Sequence, residues 1–447
     1  MKELSRRTLF RATGLSAAAL ALAACGSGGT DAPTKSAGST STGGGTTGQA
    51  GGASGSVRYG FWGSTEREQL YLDAFKSFQS KNSGITIAPE FADYGAFQER
   101  FATQAAAHNA PDLYWIASPQ VMTYYKNDLY YDLSSLSDLD LSDYTSDQIE
   151  SFKLGGTLNN VPQVSSTPIA SYNKTFLDDA GLAISDADWT WDGLAEFLID
   201  YSKKAKGRKG IAYNANQDLS FEAWLRQHGQ MLWTEDGTVG FDTDGIGGWL
   251  DWWEKLRKAG AALEPAEQDG VDMIWSTAGS KAMMIFCGVN EMVDQAPVFP
   301  KSDFELRTLP VAADAPSGWM FVYYSRIAMY KGIKDSAIAA ATKVLNFDLN
   351  DPAMIKPTLS IGAPVNPRQL KAAADTATPD QKKMLSVMVD VGGQKQNPRY
   401  EAPAGTSTWR DDFNRTIESV ALGQSSVSDA SKQMISTLTA NIQKAKG

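Results

Sequence analysis

VPQVSSTPIASYNKTFLDDAGL occupies Val161 to Leu182. Pro162 and Pro168 push the residues before them toward extended conformation. Phe176 and Leu177 then share one side of a short amphipathic segment, and Gly181 supplies a helix stop. The local reading is strand, then helix, then turn. A chain of 447 residues has room for two domains or more. Upstream, Val57 to Phe61 reads as a strand, and Thr65 to Glu68 fits the capping box T-x-x-E. Leu70, Tyr71, Ala74, Phe75 and Phe78 recur at helical spacing. Gly84 to Ala88 and Leu113 to Ile116 read as further strands, with a helix over Phe97 to Ala107 between them. Strands alternating with helices predict an α/β fold with a mostly parallel sheet and right-handed crossovers. Such sheets bind ligands outside the carboxyl ends of their strands. That rule nominates Trp62 and Ser64 past the first strand, and Trp115, Ser118 and Gln120 at and past the third. Tyr94, between the second strand and the second helix, joins the ligand candidates.

The first 24 residues do not belong to the fold. Ser5-Arg6-Arg7-Thr8-Leu9-Phe10-Arg11 looks like a twin-arginine export signal, and an apolar run from Leu15 to Ala24 follows. Leu22-Ala23-Ala24-Cys25 resembles a lipobox, which implies cleavage before Cys25 and diacylglycerol on its sulfur. The run is shorter than the roughly 20 apolar residues that span a bilayer. Residues 25–56 are the lipidated Cys and a Gly/Ser/Thr tether, with an r.m.s. reach of roughly 30 Å. Removing residues 1–24, four basic residues against Glu3, takes 41 basic and 51 acidic residues to 37 and 50, a net charge of −13. So acidic a body has no bulk attraction for nucleic acid or anionic lipid. The basic run Lys203 to Lys209 reads as a solvated helix terminus. Cys287 has no partner for an intrachain disulfide once Cys25 is lipidated, and reads as a small buried residue.

Later segments give more elements. Asp132 to Asp147 does not match D-x-[DN]-x-[DN]-G and reads as capped short turns rather than a calcium loop. Thr190-Trp191-Asp192 opens a helix with Leu194, Phe197, Leu198 and Tyr201 on one face. Phe221 to Trp233 reads as another amphipathic helix. Trp249, Trp252, Trp253 and Leu256 form an apolar stripe at i, i+3, i+4, i+7, which points to core. Ile285 to Met292 reads as a strand followed by a loop.

The order of these motifs resembles family 1 extracellular solute-binding proteins of ABC importers, which have a maltose-binding-like, two-lobe periplasmic-binding-protein fold. The resemblance rests on Pro168, Tyr172-Asn173-Lys174 and Ala180-Gly181-Leu182, then Thr190-Trp191, Gly279-Ser280-Lys281-Ala282-Met283-Met284, Arg307-Thr308-Leu309-Pro310, and the closing segment Trp409 to Lys432. It runs from about residue 57 to 440. Asp192 and Gly193 depart from the family's T-W-x-E-L spacing, and Ser280 interrupts its G-K-A-A-M segment. The resemblance implies two or three hinge crossings, the first over Ser165 to Pro168. It implies one lobe from 57–166 and 311–362 and a second from 167–310 and 363–447, each a mostly parallel sheet flanked by helices. It places Thr167, Asn290, Glu291, Trp319 and Trp409 beside an interlobe cleft. It further implies a monomer at the outer face of the cytoplasmic membrane, held only by lipidated Cys25, with ABC permease subunits as partners.

Enzymatic motifs are missing. His108 and His228 are the two histidines, and there is no G-x-S-x-G, H-E-x-x-H or G-x-x-x-x-G-K-[ST]. No metal, cofactor or catalytic residue is expected. The chain does hold 12 Trp, 16 Tyr and 18 Phe. Rings pack on the C–H faces of sugars, and a few convergent polar groups hold the hydroxyls. A carbohydrate is therefore the expected small-molecule ligand, bound by Trp62, Ser64, Tyr94, Trp115, Gln120, Thr167, Asn290, Glu291, Trp319 and Trp409. The same fold binding a polyamine, a glycerol phosphate or iron is the alternative. A secreted glycoside hydrolase is more remote, since no motif supports a pair of carboxylates at about 5 to 9.5 Å.

Overall fold

The structure, a computed structural model, describes residues 53–268 and 280–446. The signal sequence, Cys25, nearly all of the tether and Gly279 lie outside them. The first part of the chain runs β1 (Gly55–Trp62), α1 (Thr65–Lys81), β2 (Ile85–Ala92), α2 (Tyr94–Ala106), β3 (Leu113–Ile116), α3 (Val121–Lys126), α4 (Ser146–Ser151), β4 (Lys153–Leu154), β5 (Thr157–Leu158) and β6 (Val161–Ser166). The middle runs β7 (Pro168–Asn173), α5 (Lys174–Ala180), α6 (Trp191–Lys204), β8 (Lys209–Ile211), α7 (Asp218–Gln227), α8 (Thr243–Lys258), β9 (Ala282–Gly288), α9 (Val289–Val298) and β10 (Phe304–Thr308). The last part runs β11 (Tyr323–Met329), α10 (Asp335–Asn350), α11 (Ile355–Leu359), β12 (Ala363–Pro364), α12 (Pro367–Thr376), α13 (Pro379–Gly392), α14 (Trp409–Ala421) and α15 (Val427–Lys446).

Two sheets carry the architecture. The first has six strands in the order β12-β6-β11-β3-β1-β2, and the second has four in the order β10-β7-β9-β8. β1 pairs in parallel with β2 and β3, and β8 with β9. All other pairings in these sheets are antiparallel. The expectation of mostly parallel sheets is therefore corrected to mixed sheets. Parallel neighbours arise where a helix carries the chain back over the sheet. β6 and β11 instead connect to the other sheet, so no crossover imposes a parallel direction on them. β6 passes into β7 through Thr167 alone, and the chain returns between β10 and β11.

Local chemistry sets the element ends. In α1 the cap is Ser64, whose Oγ accepts from the Arg67 amide at 3.3 Å, one residue before the predicted Thr65. The buried set Tyr71, Ala74, Phe75 and Phe78 matches the helical spacing. α6 is capped by Thr190 and closes on Lys203 and Lys204, cations that suit a helix C-terminus. Helix α7 ends at Gln227, not Trp233, because Gly229 takes φ +72° and the chain turns back, bringing Trp233 opposite Val239. After β9 the chain enters α9 directly, so Asn290 and Glu291 stand in a helix's first turn rather than in the predicted loop.

Each sheet has its own core. Around the second, Trp191 meets Trp224, Trp252 and Phe286 edge-on at 5.1, 5.2 and 5.7 Å. Such contacts add about 0.5–1.5 kcal/mol beyond burial. The Trp191 indole donates to Gln227 Oε1 at 3.0 Å, and Trp252 donates to the Trp191 carbonyl at 2.9 Å. The α8 stripe is core, as its spacing indicated. Around the first sheet, Tyr59 donates to the buried Asp348 carboxylate at 2.7 Å and accepts from Trp115 Nε1 at 3.1 Å. Gln163 of β6 also donates to Asp348. Burial pushes the Asp348 carboxyl up to about 7. Trp191→Ala should lower stability by about 3–5 kcal/mol, read as a shift of the urea midpoint with the slope unchanged.

Candidate functional site

The segments that follow β2 and β3 meet the first turns of α7 and α14. Tyr94, at the start of α2, accepts from Arg410 Nη1 at 3.1 Å. Arg410, on α14, also pairs with Asp218 of α7 at 2.7 Å. Burial opposes charge on Arg410, yet Asp218 and Tyr94 outweigh it and hold the guanidinium above its ordinary range. Arg67 of α1 lies 3.4 Å from Asp294 of α9 and donates to the Ser360 carbonyl at 2.7 Å. Arg326 of β11 pairs with Glu401. Burial raises the Glu401 carboxyl, but Arg326 and Arg399 outweigh this and hold it below the usual range. Ser166 donates to Asn290 Oδ1 at 3.2 Å.

A cavity of about 10 Å³ sits in this contact. Ser118 and Pro119 line it from beyond β3, and Asp218, Trp233, Arg399, Tyr400, Glu401, Trp409 and Arg410 line the facing wall. That volume holds about one water. The wall is braced from behind. Arg399 forks onto Glu222 at 2.8 and 2.9 Å, the bidentate geometry that fixes orientation as well as charge. Arg226 donates to the carbonyls of Gly318, Trp319, Asn397 and Pro398 and so pins two loops together.

The predicted ligand candidates fall into distinct groups. Trp62 and Tyr94 stand together, rings 5.6 Å apart and partly open. Trp409 is 1% exposed but lines the cavity, with Trp233 edge-on at 5.7 Å. Asn290 meets Ser166 of the other sheet, and Glu291, one residue on, accepts from the Gly288 amide. Trp115 lies elsewhere: its ring is enclosed by Phe61, Trp62 and Tyr71 in the first core. Thr167 is fully buried and donates to the Phe321 carbonyl at 2.9 Å, a structural role. Ser64 caps α1. Trp319 packs on the second core beside the Arg226 brace, apart from the cavity. Gln120 is buried just behind Ser118 and Pro119, and its Oε1 has no hydrogen-bond partner among the described residues. Asp218, Trp233, Arg399, Tyr400 and Glu401 were not foreseen. Tyr323 and Tyr324 face opposite cores, as adjacent residues of one strand do.

Residues 73–385 match the family of bacterial extracellular solute-binding proteins. The chain belongs to this family. It is a solute-binding component of transport, not an enzyme, and the hydrolase reading falls. Solved structures show the same fold at low identity. A periplasmic oligogalacturonide-binding protein of Yersinia enterocolitica, in complex with saturated digalacturonic acid, has TM-score 0.78 and 16% identity over 88% of this chain and 100% of its own. An ABC substrate-binding protein of Listeria monocytogenes, in complex with cycloalternan, gives 0.73 and 18% over 87% and 99%. The GacH receptor of Streptomyces glaucescens, described with acarbose, gives 0.71 and 17% over 87% and 99%. The solute-binding protein thus has the α/β periplasmic-binding-protein fold with mixed sheets. No described helix is long and apolar enough to cross a membrane.

Two carboxyls at the contact give it a pH dependence. Burial, with the Asp294 charge adding, pushes Glu291 up to about 7. Burial also pushes Asp294 up to about 6, against the pull of Arg67. With folded pKa values above the unfolded ones, the native state binds more protons between about pH 4 and 7. This stabilisation is complete below the unfolded values and is lost as pH rises through 6 and 7. The ligand-free protein should melt higher at pH 5 than at pH 8. Glu291→Gln should flatten that slope and raise the pH 8 melting temperature. A slope unchanged by the substitution would show that Glu291 does not contribute.

Proposed function

We propose that this solute-binding protein captures a sugar between two lobes and delivers it to an ABC permease. The lobes are 57–166 with 311–362, and 167–310 with 363–447, with Trp319 and Phe321 of the return segment packed on the second core. The observation that carries the reading is the make-up of the interlobe contact. Its rings, Trp62, Tyr94, Trp233, Tyr400 and Trp409, suit sugar C–H faces. Its guanidiniums are already matched: Arg67 with Asp294, Arg326 with Glu401, Arg399 with Glu222, and Arg410 with Asp218. Recruiting an anionic ligand would mean breaking one of these pairs, whereas a neutral polyol only adds hydrogen bonds to them. A space for one water does not admit a sugar, so entry requires the lobes to part at Tyr94–Arg410 and Arg67–Asp294. Closure around the ligand then restores contact from both sides, and ligand shifts the population because it touches both. Trp62, Tyr94, Asn290, Glu291 and Trp409 are the sequence candidates retained as ligand-binding residues, with Asp218, Trp233 and Tyr400 added.

Export by the twin-arginine signal and lipidation of Cys25 would hold the monomer at the outer face of the cytoplasmic membrane, within tether reach of its permease. One observation favours a second ligand class. Glu291 forms no ion pair among the described residues, and a polyamine would supply the missing cation.

A thermal-shift series with mono-, di- and oligosaccharides, spermidine, ferric citrate and glycerol phosphates tests both. Ligand at 100 times its dissociation constant adds about 2.7 kcal/mol, a shift of a few degrees. One sugar series should raise the melting temperature, and Trp233→Ala should weaken that sugar about tenfold. A shift with spermidine alone, lost in Glu291→Gln, would replace the sugar by a polyamine.

A further inference from the structure

A second, larger cavity lies away from the interlobe contact. It is a groove of about 510 Å³ walled by Tyr125, Asp128, Tyr130, Tyr131, Asp132, Gly155, Thr157, Asn159 and Lys331. Its volume falls within the roughly 300–1,000 Å³ of small-molecule sites. Tyr131 bonds through its amide to the Met329 carbonyl, and Tyr330 bonds to Asp112, so the groove sits at the amino end of β3. The interlobe contact sits at the carboxyl end of the same strand, where Arg326 pairs opposite Ile116. The two sites occupy opposite ends of one sheet and can be filled at once.

The groove walls are fixed by their own contacts. Tyr130 donates to the Val121 carbonyl at 3.0 Å. Asn159 is 3% exposed and donates to Thr157 Oγ1 at 2.8 Å, which holds the β4–β5 hairpin. At the hairpin tip Gly155 has φ +60°, and a Cβ there would stand 2.1 Å from the Tyr125 hydroxyl. Only glycine lets that ring lie over the hairpin. Asp128 stands at φ +57° and pairs with Lys331. The hydroxyls of Tyr125 and Tyr131 make no hydrogen bond among the described residues, and neither ring stacks on another. Tyr125 is 37% exposed. Tyr131 packs on the first core and Tyr125 lies over the hairpin, so each offers the groove only its outer ring surface, rimmed by Asp132, Thr157 and an ammonium–carboxylate pair.

We propose that this groove is a second carbohydrate-binding site, taking one or two units of a glycan chain that stays outside the interlobe cleft. Rings would cover the C–H faces of the sugar, while the Asp132 carboxylate and the Tyr131 hydroxyl take its hydroxyls. The full chain is run through native gels cast with soluble starch, xylan, pectic galactan or no polymer. One polymer should retard it. Tyr125→Ala and Tyr131→Ala should each weaken the retardation about tenfold while leaving the sugar thermal shift unchanged. Trp233→Ala should do the reverse. The proposal is overturned if no polymer retards the protein, if both groove variants are retarded like the parent, or if Trp233→Ala abolishes the retardation. Loss of the thermal shift alone would count against the cleft reading and leave the groove standing.

Discussion

Thr167 is the junction that ties the two sheets together. It is the single residue between β6 and β7 and is fully buried. Its hydroxyl donates to the Phe321 carbonyl on the returning segment, and its own carbonyl accepts the Val289 amide at the start of α9. Three segments distant in sequence therefore share one residue's hydrogen bonds. One residue offers only two soft dihedrals, so this connection has little slack. The first turn of α9, tied to Thr167 by the Val289 amide, carries Asn290 and Glu291. Gly288 completes the arrangement, since a Cβ there would stand 2.5 Å from the Tyr323 hydroxyl.

Around this junction the charged groups divide into two kinds. Arg226 and the Arg399–Glu222 fork hold loops within one wall. Tyr94–Arg410, Arg67–Asp294 and Arg326–Glu401 span both sides. In the opening proposed above, the first kind would stay intact and the second would yield. A wall stiffened from behind presents its rings in fixed positions, which would reduce the ordering cost for the ligand proposed above. The spanning pairs oppose that gain, because a ligand has to compete with contacts the protein makes with itself.

Short-range chemistry was legible and long-range pairing was not. β3 was read residue for residue because Pro111-Asp112 and the small residues after Ile116 bound a compact apolar run. The Thr190 cap and the Trp stripe of α8 followed from spacing alone. Trp62 and Tyr94 stand at or after strand ends, and the fold brings their rings together. Trp115 misled because the same rule assumes that a residue at a strand end points outward, whereas its indole turns in to Tyr59. Trp319 followed from family resemblance, but the Arg226 brace draws its loop onto the second core. Asp218, Arg399 and Glu401 gave no local signal. Their meaning comes from partners such as Arg410, Glu222 and Arg326, far away in sequence, which only the folded chain brings together. The α7 overrun had a visible warning in Gly229, outweighed by the apolar periodicity up to Trp233.

Cys287 lies within β9, enclosed, with burial pushing its thiol well up. It offers no accessible thiolate for exchange. The body that carries both cavities is thus held by packing and hydrogen bonds and has no cross-link to wait for. Its folding is indifferent to the redox state of its surroundings. The same native body can form in a reducing cytoplasm before export or in an oxidising exterior after it, and neither order of events is imposed by covalent chemistry.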